Sequence, residues 1–580
     1  MTDGTERHEA YRVTRDGALL GRCVGDRALV WYGVPYAAPP VGERRWRAPA
    51  PPLSWRGVRD ATQPPAPACQ VLSYSTLDGR SREGRVIGDE DCLYLTIWSP
   101  RSALTGSSAG KRLPVLVWFH GGGNMIGDGA DFDASRLSAE QDVIVVAVNH
   151  RLNILGWLAH RALRDPEAGA EARSGNFAVL DHIAALGWVR DNVAAFGGDA
   201  ERVTLVGHSG GGWNVRALLC SPPARGLFHR AIVQSVGAYQ LMTPDHSESF
   251  LADDPAGHPL SSGELLLSLW LTDGRASEPA AAMAQIRATP DTEIAAYLRG
   301  QPYGALSRAI AATSRRNAAA SSAEALTRHS ARRLPQMFAD GVVLSADVQS
   351  RVPIMVGTTR YEDRTFLSAD RRFVANLHGH PVIRDPERYA VLSDYLGRFY
   401  AAHGVAEPAE AWVRQGLPVY AYRCDWDDIV SPSWLDFRAM IGAGHGSELP
   451  LVFGTTDLGA EYTFQRHLYD SADGSSFRQT SAAVMEYWSA FARDGAPARG
   501  TGGTLPEWRE WRDDGLMVLD AEAGGGIRMA RESAARSEVI EQIRGDPRLP
   551  PGPLRQRLIR DIRDHAITQL GVTDYAHLEG

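Results

Sequence analysis

Lysine is almost absent: Lys111 is the only one in 580 residues, so nearly all positive charge is arginine. That points to a coding bias of the source rather than to a polybasic surface. The net charge of −8 is mild and argues against a nucleic-acid binder, which needs a basic surface. Cysteine is scarce as well, with Cys23, Cys69, Cys92, Cys220 and Cys424 as the whole complement. Five is an odd number without metal-site spacing, so no metal centre is expected. Thiols in a reducing compartment are the simplest reading. Long apolar runs are missing too, none reaching the ~18 residues of a membrane span. Met1 to His8 is polar and lacks the apolar centre of a secretion signal. The expectation is a cytoplasmic protein that meets no membrane, unless a leader precedes it. No internal repeat is found.

What the chain does have is ordinary globular content, 44% hydrophobic and 22% charged, enough to bury a large core. Ala18–Val24 and Ala28–Tyr36 read as strands, then Leu93–Trp98. Leu113–Phe119 and Val143–Asn149 are continuous apolar runs, of the kind buried on both faces of a parallel sheet. Phe177–Phe196 is helical, with Leu180, Ile183, Ala184, Leu186, Gly187 and Val189 near the 3.6 period. Further strands follow at Arg230–Val233, Val352–Gly357 and Pro418–Trp426. Alternating strands and helices of this kind mean an α/β fold with a mainly parallel sheet.

One domain is expected over 1–545. Two inserts interrupt it, at about 240–340 and 380–440. The first is alanine-rich, helical at Ser262–Trp270 and Ala305–Ala312, and expected to cap the site. A tail, 546–580, carries Leu554, Leu558, Ile562, Ala566 and Leu570 on one helix face, expected to pack on the chain's own body.

The chemistry gathers at Gly207-His208-Ser209-Gly210-Gly211. A strand, Val203–Val206, runs into a glycine-flanked serine, and a helix follows: this is a G-x-S-x-G nucleophile elbow. The turn is so tight that the residues two before and two after the serine touch, leaving no room for a Cβ. A serine hydroxyl then needs a base, an acid to orient that base, and N–H donors for the developing oxyanion. His120-Gly121-Gly122-Gly123, directly after a buried strand, can crowd N–H groups around one oxygen, and Gly210 adds another. In hydrolases built on this elbow the chain order is serine, acid, histidine. His445, in a glycine-rich loop, suits the base. Glu362 and Asp363, a few residues beyond the 352–357 strand, both suit the acid.

These residues make the chain resemble the type-B carboxylesterases, the α/β-hydrolases that include para-nitrobenzyl esterases, mammalian carboxylesterases and cholinesterases. The likeness runs from about residue 15 to 540. It rests on Tyr32–Ala37, Glu90–Leu95, His120–Gly123, Val148–Leu152, Gly175-Asn176, Phe196–Asp199, the elbow, Gly226–Arg230, and His445-Gly446 with Phe453-Gly454. The resemblance implies an α/β-hydrolase fold with a large, mostly parallel sheet and helical caps. It implies a triad of Ser209, Glu362 and His445, Glu362 being favoured over Asp363 by its distance from Gly357. It also implies an oxyanion site of Gly122, Gly123 and Gly210. Cys69 and Cys92 hold the positions of a family disulfide, which need not form in the cytoplasm, and Arg45 with Glu90 matches a structural ion pair. No metal or organic cofactor is implied.

Two departures bear on the substrate. His208 stands where the family has an acidic residue: either it simply makes a buried hydrogen bond, or by raising the local charge it favours substrates with an acidic or electron-rich group. Gly210 stands where alanine is usual. The Cys69–Cys92 stretch has no tryptophan, so choline esters are not expected. Trp213 and Tyr239 are the other candidate substrate contacts. The expected partner is a small-molecule ester, bulky or hydrophobic, met by a monomer or homodimer. A lyase or acyl-transfer enzyme on the same scaffold is the alternative; a binding protein without catalysis is disfavoured by the intact triad.

Overall fold

The apolar runs of the sequence lie at the centre of the protein in its computed structural model. The description covers residues 9–565, leaving aside 73–83, 106–109, 165–166, 238–240, 243, 255–256, 321–336, 378–379, 432, 434, 457–468, 470–473, 513–514, 532–535 and 550. One sheet of eleven strands organises the chain. In chain order these are β1 (Arg22–Val24), β2 (Ala28–Pro35), β3 (Tyr94–Pro100), β4 (Leu113–Phe119), β5 (Ile144–Val148) and β6 (Gly198–His208). They continue with β7 (Arg230–Gln234), β8 (Ile354–Thr359), β9 (Val419–Cys424), β10 (Gly515–Leu519) and β11 (Arg528–Arg531).

Across the sheet the order is β11-β10-β9-β8-β7-β6-β4-β5-β3-β2-β1. The strands from β10 through β5 are parallel. The β3-β2-β1 edge and β11 pair antiparallel. This is the mostly parallel, helix-flanked sheet expected from the sequence. Alternation along β4 shows why its run is continuous: Val115, Val117 and Phe119 enter one apolar cluster, Leu116 and Trp118 the other. Both faces are covered, and each such side chain contributes roughly 1.5–3 kcal/mol by burial.

The helices used below are α1 (Phe177–Asn192), α2 (Gly210–Leu219), α3 (Ser262–Thr272), α4 (Tyr303–Ala320), α5 (Pro386–Ala401), α6 (Ser475–Asp494) and α7 (Pro553–His565). Residues of α1 and α2 join the first cluster; those of α5, α6 and α7 join the second. From the tail, Leu558 and Ile562 are buried there, and Asp561 pairs with Arg388 of α5. Ala566 and Leu570 lie outside the described residues. The insert helices α3 and α4 are joined by the Ser268 and Thr313 hydroxyls at 2.6 Å. Their apolar residues form a third cluster with Trp46, Ile154 and Phe177 of the body.

Two elements differ from the sequence reading. Ala18–Val24 is not one strand: Ala18–Leu20 belongs to a separate three-stranded sheet, and only Arg22–Val24 joins the main one. The chain changes partner at Gly21, which packs against the Val30 carbonyl and the Trp31 ring with no room for a side chain. Helix α1 also buries residues outside its expected face. Asp181, His182 and Ala185 are buried, whereas Ile183, Ala184 and Gly187 are half-buried. A buried ion pair decides this: Asp181 takes Arg151 Nε at 2.9 Å and Nη2 at 2.6 Å, which hydropathy periodicity does not register.

Candidate active site

Strand β6 delivers Ser209 to the start of α2 with φ 55° and ψ −120°, a backbone state that side chains rarely adopt. It holds because the flanks allow it: a Cβ on Gly207 would lie 2.2 Å from the Gly211 carbonyl oxygen, and one on Gly211 1.9 Å from that of Phe119. The Ser209 N–H donates to the Gln234 carbonyl at 2.9 Å, pinning the turn to the neighbouring strand. The turn predicted from the glycine pattern is the turn found.

Strand β8 ends in the loop that holds Glu362. This buried carboxylate accepts from Thr358 Oγ1 at 2.6 Å and from the Thr359 N–H at 2.7 Å. Its other oxygen bonds to His445 Nδ1. Spacing alone left Glu362 and Asp363 open, and this bond belongs to Glu362. The His445 N–H donates to the Glu362 carbonyl at 3.2 Å, and Thr365 Oγ1 donates to the His445 carbonyl at 3.1 Å, so both loops are tied together. Burial alone would lower the His445 pKa. The charge and hydrogen bond of Glu362, helped by Glu448 and Asp363, overcome it and raise the value above 6.5. Burial pushes Glu362 up, but His445 and the hydrogen bonds outweigh it and leave the carboxyl below its ordinary 4.5.

Ser209 and His445 line the same cavity, with Trp213, Ser235, Val236, Gly237, Phe366 and Tyr400. Trp213, open between pocket and core packing from the sequence, lines this cavity and also packs against the first apolar cluster; Tyr239 lies outside the described residues. Among the described residues, neither α3 nor α4 borders this cavity, whereas α5 of the second insert supplies Tyr400. The Gly122 and Gly123 loop stands at the end of β4 with φ 88° and 62°. It lies against the start of α2: a Cβ on Gly210 would be 2.8 Å from the Gly123 nitrogen.

Of the two readings of His208, the buried position is the one the structure has. His208 is 2% exposed, beneath the elbow, and does not line the cavity. Its ring lies 4.6 Å from that of His445, and its Nε2 is 3.6 Å from Glu448 Oε1. Burial and the neighbouring His445 hold its pKa well below 6.5. Glu448 itself was missed, although it follows His445 by three residues. It is buried, accepts from Ser235 Oγ at 2.5 Å, and is pushed up to about 7 by burial and by the charge of Glu362. A second carboxylate that close to the candidate base was the available signal.

Cys69 and Cys92, the positions of the disulfide implied by the resemblance, are both buried and free in this structure. Burial, with nearby acidic groups, pushes Cys69 up to about 12. Arg45 does meet Glu90, with Nε to Oε2 at 2.7 Å, and also reaches the Arg299 and Gln301 carbonyls at 2.9 and 2.6 Å. The pair thus ties the N-terminal region to the first insert. No helix among the described residues is long and apolar enough to cross a membrane.

Comparison with known proteins identifies the family. The profile of the carboxylesterase family matches residues 9–379 and 376–535. Para-nitrobenzyl esterase of Bacillus subtilis (strain 168) is 30% identical, over 85% of this chain and 91% of its own. Fumonisin B1 esterase of Sphingopyxis macrogoltabida is 30% identical over 90% and 88%. Carboxylesterase 5A of Felis catus is 31% identical over 90% and 92%. Among solved structures, a thermophilic PNB esterase superposes with TM-score 0.65 at 26% identity, covering 91% of this chain and 99% of that one. Such likeness across nearly the whole length carries both the α/β-hydrolase fold and the reaction class: the chain belongs to the carboxylesterase family and is a carboxylic ester hydrolase.

Proposed function

We propose that the protein cleaves small-molecule carboxylic esters in two steps, with Ser209 as nucleophile, His445 as general base and acid, and Glu362 as the orienting carboxylate. The observation that carries this reading is the Glu362–His445 hydrogen bond at the cavity that Ser209 also lines. With Nδ1–H given to Glu362, His445 keeps Nε2 free to accept a proton. It takes the proton of Ser209 Oγ as that oxygen attacks the ester carbonyl. The tetrahedral oxyanion is held by the N–H groups of Gly122, Gly123 and Gly210. His445 then gives the proton to the leaving alcohol, and the acyl-enzyme remains. Water, deprotonated by His445, attacks in the second step and releases the acid and Ser209.

Relatives named for para-nitrobenzyl and fumonisin B1 esters support a bulky or hydrophobic natural-product or xenobiotic ester as substrate. The test is fluorophosphonate labelling and p-nitrophenyl ester turnover by wild type, Ser209→Ala and Glu362→Gln. Ser209→Ala should lose both label and turnover. Glu362→Gln should keep the serine but lose on the order of 10⁴ in kcat, as its imidazole loses the correct tautomer. Folded wild-type protein that neither labels nor turns over refutes the reading.

A further inference from the structure

The proposed oxyanion donors come from two separate elements, the loop after β4 and the N-terminus of α2. No covalent link sets the distance between them. Two asparagines do so instead. Asn124, the residue after Gly123, donates from Nδ2 to Asn214 Oδ1 at 3.0 Å, and Asn214 donates from Nδ2 to Asn124 Oδ1 at 2.8 Å. The two amides face each other in a closed, reciprocal pair, at 1% and 0% exposure. Asn214 lies on α2 one turn beyond Gly210, so the pair bolts the loop to the helix that carries the nucleophile.

Two further observations show how closely the loop is seated. A Cβ on Gly210 would lie 2.8 Å from the Gly123 nitrogen and 2.7 Å from that of Asn124. The loop thus occupies space that an alanine methyl at this position would need. Behind it, the Asn124 carbonyl accepts from the Asn153 N–H at 2.8 Å, and the Asn153 side chain donates to Tyr303 of α4 at 2.9 Å. The loop is gripped from both sides. Asn124 also takes φ 59°, a left-handed state that asparagine tolerates better than most residues.

We infer that the Asn124–Asn214 pair is a positioning clamp for the oxyanion site, holding the Gly122 and Gly123 donors in register with Gly210. Burying two amides is costly unless each satisfies the other. The pair forms both hydrogen bonds at once, which fixes rotation as well as distance. An apolar pair of the same size would fill the space without fixing either. The inference rests on the oxyanion role proposed above for these three glycines.

The experiment compares wild type, Asn124→Ala, Asn214→Ala, their double variant, and the refilled double variant Asn124→Leu with Asn214→Leu. Each is measured for kcat and KM on p-nitrophenyl butyrate, for affinity to an aryl trifluoromethyl ketone, and for Tm. The ketone forms a tetrahedral adduct with Ser209 and places its oxygen among the oxyanion donors. Each single variant should lose about 10–100-fold in both kcat and ketone affinity, with KM within about 3-fold, because misplacing a donor is felt only as charge develops. The double alanine variant should lose no more than about 2-fold beyond the singles, since all remove one interaction. If the alanine variants do not fold, the refilled variant decides: its Tm should approach wild type while its ketone affinity stays low. Ketone affinity restored along with Tm, or variants within about 2-fold of wild type, would overturn the clamp. Wild type that fails to bind the ketone would instead overturn the catalytic reading beneath it.

Discussion

Replacing Glu448 by glutamine keeps the shape of the side chain and an acceptor for Ser235 Oγ, but removes one buried charge. In the folded protein this carboxyl titrates at about 7 against an ordinary 4.5, because it is buried and faces the charge of Glu362. At about 1.4 kcal/mol per pH unit, the difference amounts to roughly 3 kcal/mol. Between pH 4.5 and 7 the folded chain keeps a proton on Glu448 that the unfolded chain has released. Stability attributable to this group is therefore complete below 4.5 and lost as pH rises to 7. Glu448→Gln lacks that loss. Relative to wild type it should gain roughly 3 kcal/mol between pH 4.5 and pH 8, read from urea titrations or as a Tm difference that grows with pH.

The same substitution has a kinetic signature. Glu448 is one of the charges that raise the His445 pKa, so its removal lowers that value. The base must be neutral to act, and the acid limb of kcat/KM should move to lower pH. A stability difference that does not change with pH would refute the argument, as would an acid limb that moves upward.

Asp181→Ala leaves the Arg151 guanidinium buried without its carboxylate, although Arg47 and Phe177 carbonyls still accept from it. The expected cost is about 3–5 kcal/mol in chemical denaturation, and under ~1 kcal/mol would contradict it. His182 sits between His150 and Phe119, its ring centroid 4.4 and 4.8 Å from theirs, and neither ring nitrogen has a hydrogen-bond partner among the described residues. Burial, with a smaller contribution from His120, lowers its pKa from 6.5 to about 3. Its neutral form is what the fold accepts, so stability falls as pH drops from 6.5 toward 3. His182→Gln should widen the range of acid tolerance, measured as Tm against pH; an unchanged acid limit would count against the reasoning.

Sequence reading went furthest where one local feature forces the geometry. Gly207 and Gly211 allow only a crossing too tight for any Cβ, and the triple glycine after β4 leaves backbone as the only material near the elbow. It went less far where two distant segments compete for one partner. Glu362 and Asp363 are adjacent carboxylates, and only the fold brings one of them to His445. His208 is chemically suggestive in a list of residues, yet its depth beneath the elbow is a property of the sheet above it. Periodicity found Leu180, Leu186 and Val189 of α1 buried but missed Asp181, because a buried aspartate counts as polar until its arginine, 30 residues away, is seen to meet it.

What this sequence determined alone is the strained nucleophile turn, the glycine loop beside it and the buried parallel strands between. Each follows from short-range sterics or from the two-residue alternation of a strand. Only the tertiary structure decided which carboxylate hydrogen-bonds to His445, that Glu448 stands beside it with its proton held to about 7, and that Asn124 meets Asn214 across 90 residues. Those are contacts between segments far apart in the chain, and their strength depends on burial that no local pattern records.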